Sequence, residues 1–312
     1  MSGLWLRGSC ARRRVRRRVR QRGRHLSAVA VAAALLVSGC SGGDDTAADT
    51  ATSGDPSVST SADASTGAAA TTRTPPPPPD APAIDVCRLL SAAQVALFSD
   101  ESKGGSCARR HTAYTFAVGA VPADVALPGV NIQNDAVQDA AAASCQSKFR
   151  RFIGGNPETR ALSRLDSTYF LPTQRDFDRG AHWVRCDIVA YRNSTVLAEL
   201  PDQSLEGFLD RPRALDSYGV CARGEPGEAK TSLVTCDQDH EFRAVDALRL
   251  GTKTTAYPGR SDTLATGSEQ CKERISKLLE LEGGFVYAYT FPSASDWADG
   301  QRFGYCWNKT PD

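Results

Sequence analysis

Apolar residues fall into three regimes along this 312-residue chain. Residues 26–37 form an apolar run of about a dozen positions, broken only by Ser27 and short of the roughly 20 that a helix needs to cross a bilayer. Residues 41–83 are Ala, Thr, Ser, Gly, Asp and Pro with almost no large apolar side chain, and they include a proline run at 75–79. Such a segment cannot build a core and is expected to be disordered. From Ile84 onward the pattern alternates between the strand and helix periods. Residues 264–281 carry Leu264, Cys271, Ile275, Leu278, Leu279 and Leu281 at helical spacing among Lys and Glu, and Gly283 and Gly284 terminate the run. Around it, residues 232–236, 241–250, 285–291 and 302–307 read as strands. The preceding half follows suit, with a helix at 134–152 holding Cys145, a last strand at 182–191 holding Cys186, and an extra helix at 85–98 around Cys87. The expected class is α+β.

What precedes the apolar run changes its meaning. Ten arginines lie between Arg7 and Arg24 with no acidic residue, so the run reads as the hydrophobic part of an export signal. It ends in Val37, Ser38, Gly39 and Cys40, which resembles the bacterial lipobox. That resemblance implies cleavage after residue 39 and a diacylglycerol on Cys40, anchoring the mature chain to the extracytoplasmic face of the cell membrane. The paired arginines leave a twin-arginine route open beside the general one. Removing ten of the 37 basic residues and none of the 36 acidic ones leaves 27 against 36, a net charge of −9. An acidic mature chain lacks the footprint of a nucleic-acid binder. Residues 40–83 then become a spacer, spanning about 35 to 40 Å as a coil.

Eight cysteines remain: Cys87, Cys107, Cys145, Cys186, Cys221, Cys236, Cys271 and Cys306. An even number in an exported chain reads as disulfides, and the absence of any Cys-x-x-Cys pair argues against a redox or zinc site. The cysteines fall into two sets of four because the chain repeats itself. Tyr169, Pro172, Asp176, Phe177, Gly180 and Cys186 recur 120 residues later as Tyr289, Pro292, Asp296, Trp297, Gly300 and Cys306. Upstream, Cys107 and His111 match Cys236 and His240, and Cys145 matches Cys271. The expected organisation is two tandem disulfide-stabilised repeats, residues 84–200 and 201–312, each about four strands with one helix. Equivalent cysteines should pair equivalently, which leaves three pairings per half. Helix to last strand is favoured, Cys145 with Cys186 and Cys271 with Cys306, leaving Cys87 with Cys107 and Cys221 with Cys236.

In the second half, Cys236-Asp-Gln-Asp-His240-Glu241, the helical Cys271, and Trp297-Ala-Asp-Gly300-Gln-Arg302 leading to Cys306 resemble the actinobacterial septum-formation domain. The resemblance covers residues 218–307, with Asp239 standing where the family has proline, and is weak over the first half. It implies a cell-envelope protein linked to division and carries no catalytic residues over.

Three histidines survive signal removal: His111, His182 and His240. His240 beside Glu241, Asp237 and Asp239 is the candidate for ligand or proton-transfer chemistry, against a plainer reading as a turn histidine bonded to its own loop. Asp237, Asp239 and Glu241 alternate, so on a strand they would share a face able to meet a cation or simply water. Trp183, Phe177, Trp297, Phe303 and Trp307 cluster near the last strands, for stacking on a sugar or partner or for core packing. No nucleophile elbow, phosphate loop or His-Glu-x-x-His metal motif occurs, and no cofactor or metal is expected. The sequence thus points to a non-catalytic envelope interaction module, with His240, Glu241 and Trp297 as candidate binding residues and an envelope or division protein as partner. A solute-binding lipoprotein and a cell-wall hydrolase are the alternatives.

Overall fold

In the computed structural model, which describes residues 80–281 and 284–310, each half folds its period-2 segments into an antiparallel sheet and lays its long helix across one face. The signal, Cys40 and the linker up to residue 79 lie outside the described residues. The first half contains β1 (Val86–Arg88), α1 (Ala92–Val95), β2 (Ala113–Ala120), α2 (Asp135–Phe152), α3 (Pro157–Ala161), β3 (Leu165–Phe170), α4 (Gln174–Phe177) and β4 (Trp183–Ala190). The second contains α5 (Ala214–Tyr218), β5 (Val220–Arg223), β6 (Ser232–Thr235), β7 (Phe242–Arg249), α6 (Arg260–Leu278), β8 (Tyr287–Thr290), α7 (Ala294–Ala298) and β9 (Phe303–Lys309). The class is α+β. Among the described residues, no helix is long and apolar enough to cross a membrane.

The sheet orders are β1-β2-β4-β3 and β6-β5-β7-β9-β8, so without β6 the second is the first repeated. Register repeats too. Tyr169 pairs with Cys186 as Tyr289 pairs with Cys306, and both sheets carry a bulge at one place, between Thr115 and Ala117 and between Ala244 and Asp246. A bulge adds one residue to one strand and survives only where the fold uses it, so its recurrence marks the halves as copies.

Each long helix buries one stripe at every fourth position. On α2 these are Val137, Ala141, Cys145 and Phe149, and on α6 Thr263, Gly267, Cys271 and Ile275. The disulfides Cys145–Cys186 and Cys271–Cys306 bolt these stripes to the central strands, while Cys87–Cys107 and Cys221–Cys236 close the edges. This is the pairing favoured from the duplication. The closed loops run from 15 to 41 residues. Each bridge contributes about 3 to 4 kcal/mol in the chain-entropy account.

The repeated Pro-to-Gly segment is a one-turn helix with both ends specified. Thr173 and Ser293 cap α4 and α7, and Asp176 and Asp296 accept from those hydroxyls at 2.7 Å. Gly180 (φ 95°) and Gly300 (φ 89°) stop the turn in the left-handed region, which glycine enters without a Cβ penalty.

Cys87 does not sit in a helix. The expected helix at 85–98 is divided: Val86, Cys87 and Arg88 pair with Thr115, Tyr114 and Ala113, and helix begins only after Ser91, where Ser91 and Gln94 form a capping box. Apolar Val86, Cys87, Leu89 and Leu90 satisfy either period, and tertiary pairing with β2 decides. The halves also exchange cover. Leu162, after α3, packs into the second sheet's core, and Leu200, Leu205, Phe208, Leu209 and Ala214 pack into the first.

Candidate functional site

The three histidines are held by their own loops. Nδ1 of His111 donates to the Arg109 carbonyl at 2.7 Å, and Nδ1 of His240 donates to the Gln238 carbonyl at 2.6 Å, the same i−2 bond in both copies. Nε2 of His182 bonds the Phe177 carbonyl at 3.1 Å with the two rings 4.5 Å apart. Its counterpart Arg302 donates to the Trp297 carbonyl and lies 4.2 Å from the Trp297 ring. The Cys87 and Cys107 sulfurs and a His111 nitrogen lie within 4.8 Å of one another, but the sulfurs are joined as a disulfide and cannot act as thiolate ligands.

The residues singled out from sequence are not brought together. His240 and Glu241 precede Phe242, which pairs with Lys309, whereas Trp297 lies before Phe303, which pairs with Arg249 at the far end of the same ladder. An eight-residue strand separates them, about 25 Å. Asp237, Asp239 and Glu241 are exposed and lie in the turn between β6 and β7, so their alternation is not that of a strand face. The Glu241 carboxylate accepts from the Gly224 amide. Trp297 is 5 % exposed, donates from Nε1 to the Thr255 carbonyl at 2.9 Å, and meets Tyr257 edge-on. With Arg302, which donates to the Thr252 and Lys253 carbonyls, it pins the loop leading toward α6.

The concentration of chemistry lies elsewhere, on the face of the first sheet turned away from α2. Alternation along β4 sends Val184, Cys186 and Ile188 into the core beneath α2 and leaves Arg185 and Asp187 on the other face. There Arg185 donates from Nε to Asp187 at 3.1 Å and from Nη2 to Asp100 at 2.7 Å, with its guanidinium 4.3 Å from the Phe170 ring. Thr115 donates to Asp187 and accepts from Arg88, both at 2.7 Å, while Arg88 also donates to the Ser102 carbonyl at 3.2 Å. Arg185 is 1 % exposed and Asp187 fully buried. Burial pushes the Asp187 carboxyl above its ordinary range, with Arg185, Thr115 and Arg88 pulling it back. At Asp100 burial acts in the same direction, but Arg185 and Ser102 outweigh it and hold the carboxyl below its usual value. Burial likewise lowers Arg88.

Arg88 and Arg185 form the floor of a cleft of about 170 Å³, with Asp187 and Thr115 beneath them. Its walls are the loop from Ser99 to Ser102, Thr173 and Asp176 at α4, and Trp183 at the start of β4. The second sheet shows that the fold does not require it. By register, Arg88, Thr115, Arg185 and Asp187 correspond to Ala222, Ala244, Tyr305 and Trp307, which join Leu162, Val220 and Phe242 in an apolar cluster. Buried ion pairs commonly add nothing over apolar residues of similar volume. One copy therefore carries a charged interior on a framework that closes equally well on hydrocarbon. Sequence reading passed over Arg88, Asp100, Arg185 and Asp187; setting the two copies in register, with Arg185 against Tyr305 and Asp187 against Trp307, is the signal that finds them.

No curated protein and no solved structure matches the chain. The profile of a family described as septum formation matches residues 94–306. That span runs from α1 through Cys306 and takes in both sheets, all but one strand of the first included, well beyond the 218–307 resemblance. Since it covers more than half of the sequence, the chain belongs to the septum formation family.

Proposed function

We propose that the chain is a lipid-anchored extracytoplasmic module without catalytic activity, which acts in septum formation by holding a partner at the cell envelope. The family description supports the septal role. The observation that carries the binding role is the difference between the two sheets. Where one copy closes on Ala222, Ala244, Tyr305 and Trp307, the other lines a cleft with Arg88, Arg185 and Asp100 and keeps Asp187 buried beneath them. These four groups neutralise one another through short, fixed contacts, an arrangement suited to recognition. Proton transfer would need a group poised near neutral pH and aimed at a substrate. Cys40 and the spacer after it would set the working distance from the membrane.

Depletion tests the reading. Cells losing the protein should show delayed or misplaced septa, restored by the wild-type chain and not by a Cys40→Ser copy. Normal septa on full depletion would remove the septal role. Release of soluble fragments from peptidoglycan by the purified chain would remove the non-catalytic one.

A further inference from the structure

The cleft on the first sheet has the make-up of a carbohydrate subsite, and we infer that it binds one uncharged pyranose ring of an envelope glycan. A pyranose offers an apolar C–H face and hydroxyls around its rim, so it is held by an aromatic plate beside fixed polar groups that keep some hydrogen-bonding capacity.

The plate is Trp183. Trp297 and Trp307 have their indole nitrogens bonded to the Thr255 carbonyl and the Thr290 hydroxyl and their rings against Arg302 or Tyr305. Trp183 lines the cleft and is only partly buried, and its side chain has neither a hydrogen bond nor a ring partner among the described residues. Its counterpart in the other copy, Phe303, is covered by Arg249 at 5.1 Å. The polar groups are the Arg88 guanidinium and the Asp100 carboxylate, whose side chain is 6 % exposed and whose Oδ2 is taken by Arg185 and the Ser102 hydroxyl, leaving Oδ1, bonded among the described residues only to the Ser102 amide, for a ligand hydroxyl. Arg88 is 7 % exposed and uses Nε and Nη1 on Ser102 and Thr115; its Nη2 has no partner among the described residues. Arg185 and Ser102 fix Asp100, and the Ser102 carbonyl and Thr115 fix Arg88, so little side-chain freedom is lost when a ligand arrives.

Charge selects against the alternatives. Asp100, Glu101, Asp176 and the underlying Asp187 set four carboxylates against three guanidiniums, Arg88 and Arg185 in the floor and Arg179 paired with Asp176, which disfavours a phosphate or uronate. Size selects for a single ring, because about 170 Å³ is below the 300 Å³ at which pockets begin to enclose drug-sized ligands.

The inference rests on the chain being a binding module, and the two fail separately. Purified full chain with intact disulfides is titrated with the N-acetylglucosamine trimer, a neutral hexose trimer and a trigalacturonate, following tryptophan fluorescence and heat. Saturable binding of either neutral trimer, at least tenfold weaker in Trp183→Ala and largely restored in Trp183→Phe, is the expected result. The acetylated trimer binding alone assigns the glycan strand of the wall, and the hexose alone a neutral polysaccharide. No saturation by about 10 mM, a dissociation constant worth under 3 kcal/mol, would overturn it. So would undiminished binding in Trp183→Ala or a preference for the uronate. Failure here with septal defects still seen on depletion removes the sugar and leaves the module.

Discussion

Replacing Asp187 with Ala tests whether the charged face is an inserted feature of the first sheet or part of its framework. The carboxylate is fully buried and accepts from Arg185 and Thr115, so its loss leaves a guanidinium that is 1 % exposed short of one partner and the Thr115 hydroxyl proton without an acceptor. Breaking a buried pair from one side costs about 3 to 5 kcal/mol. At roughly 2 to 4 °C per kcal/mol for a body of this size, Tm should fall by about 6 to 20 °C. Arg185 keeps Asp100 as a second partner, which places the value toward the lower end. The second sheet supplies the control, since Tyr305 and Trp307 occupy the equivalent positions. An Arg185→Met, Asp187→Leu double variant removes both charges and should recover most of the loss. Guanidinium titration and thermal circular dichroism without reductant measure all three chains. A single variant that loses less than about 1 kcal/mol, or a double variant no better than the single, would refute the reasoning.

Other consequences follow from particular contacts. A Cβ at Gly267 would lie 2.2 Å from the Tyr289 ring, so Gly267→Ala should destabilise by about 1 to 3 kcal/mol, whereas Ala141→Gly at the equivalent α2 site should cost no more than about 1 kcal/mol by denaturant titration. Changing Cys271 and Cys306 together to Ser removes a bridge closing 35 residues and should cost about 3 to 4 kcal/mol while leaving the other three disulfides in a non-reducing peptide map. The Asp100 carboxyl is held below its ordinary value, so its contribution is complete above about pH 3.9 and is lost as pH falls further; Asp100→Asn should flatten that acid slope, and an unchanged slope would contradict the assignment. Asp187 is shifted the other way, which is why the comparison is made between these two chains. Cys40→Ser should move the protein from the membrane pellet to the soluble fraction with the eight cysteines from Cys87 to Cys306 still oxidised.

Much of this fold was legible because the chain states its pattern twice. The helices around Cys145 and Cys271 and the last strands around Cys186 and Cys306 could be read from period and duplication, and of the three pairings per half that duplication leaves, the favoured helix-to-last-strand one is found. Cys87 was misread as helical because three residues of strand have no period, and only pairing with Tyr114 and the bond to Cys107 define it. The charged network was not legible for a different reason. Arg185 and Asp187 on an alternating strand look like a solvated face, and what buries them includes Asp100, some 85 residues earlier in a loop. His240, by contrast, does what the plainer reading gave it, bonding its own turn beside Cys236.

The central claim is that this is a tethered septal binding module, and its most direct test is where the chain sits. Time-lapse imaging of a tagged full-length copy at native level should show enrichment at the septum over the lateral membrane, beginning before constriction and lost when Cys40 is changed to Ser. A signal spread evenly over the membrane through the whole division cycle would contradict the account.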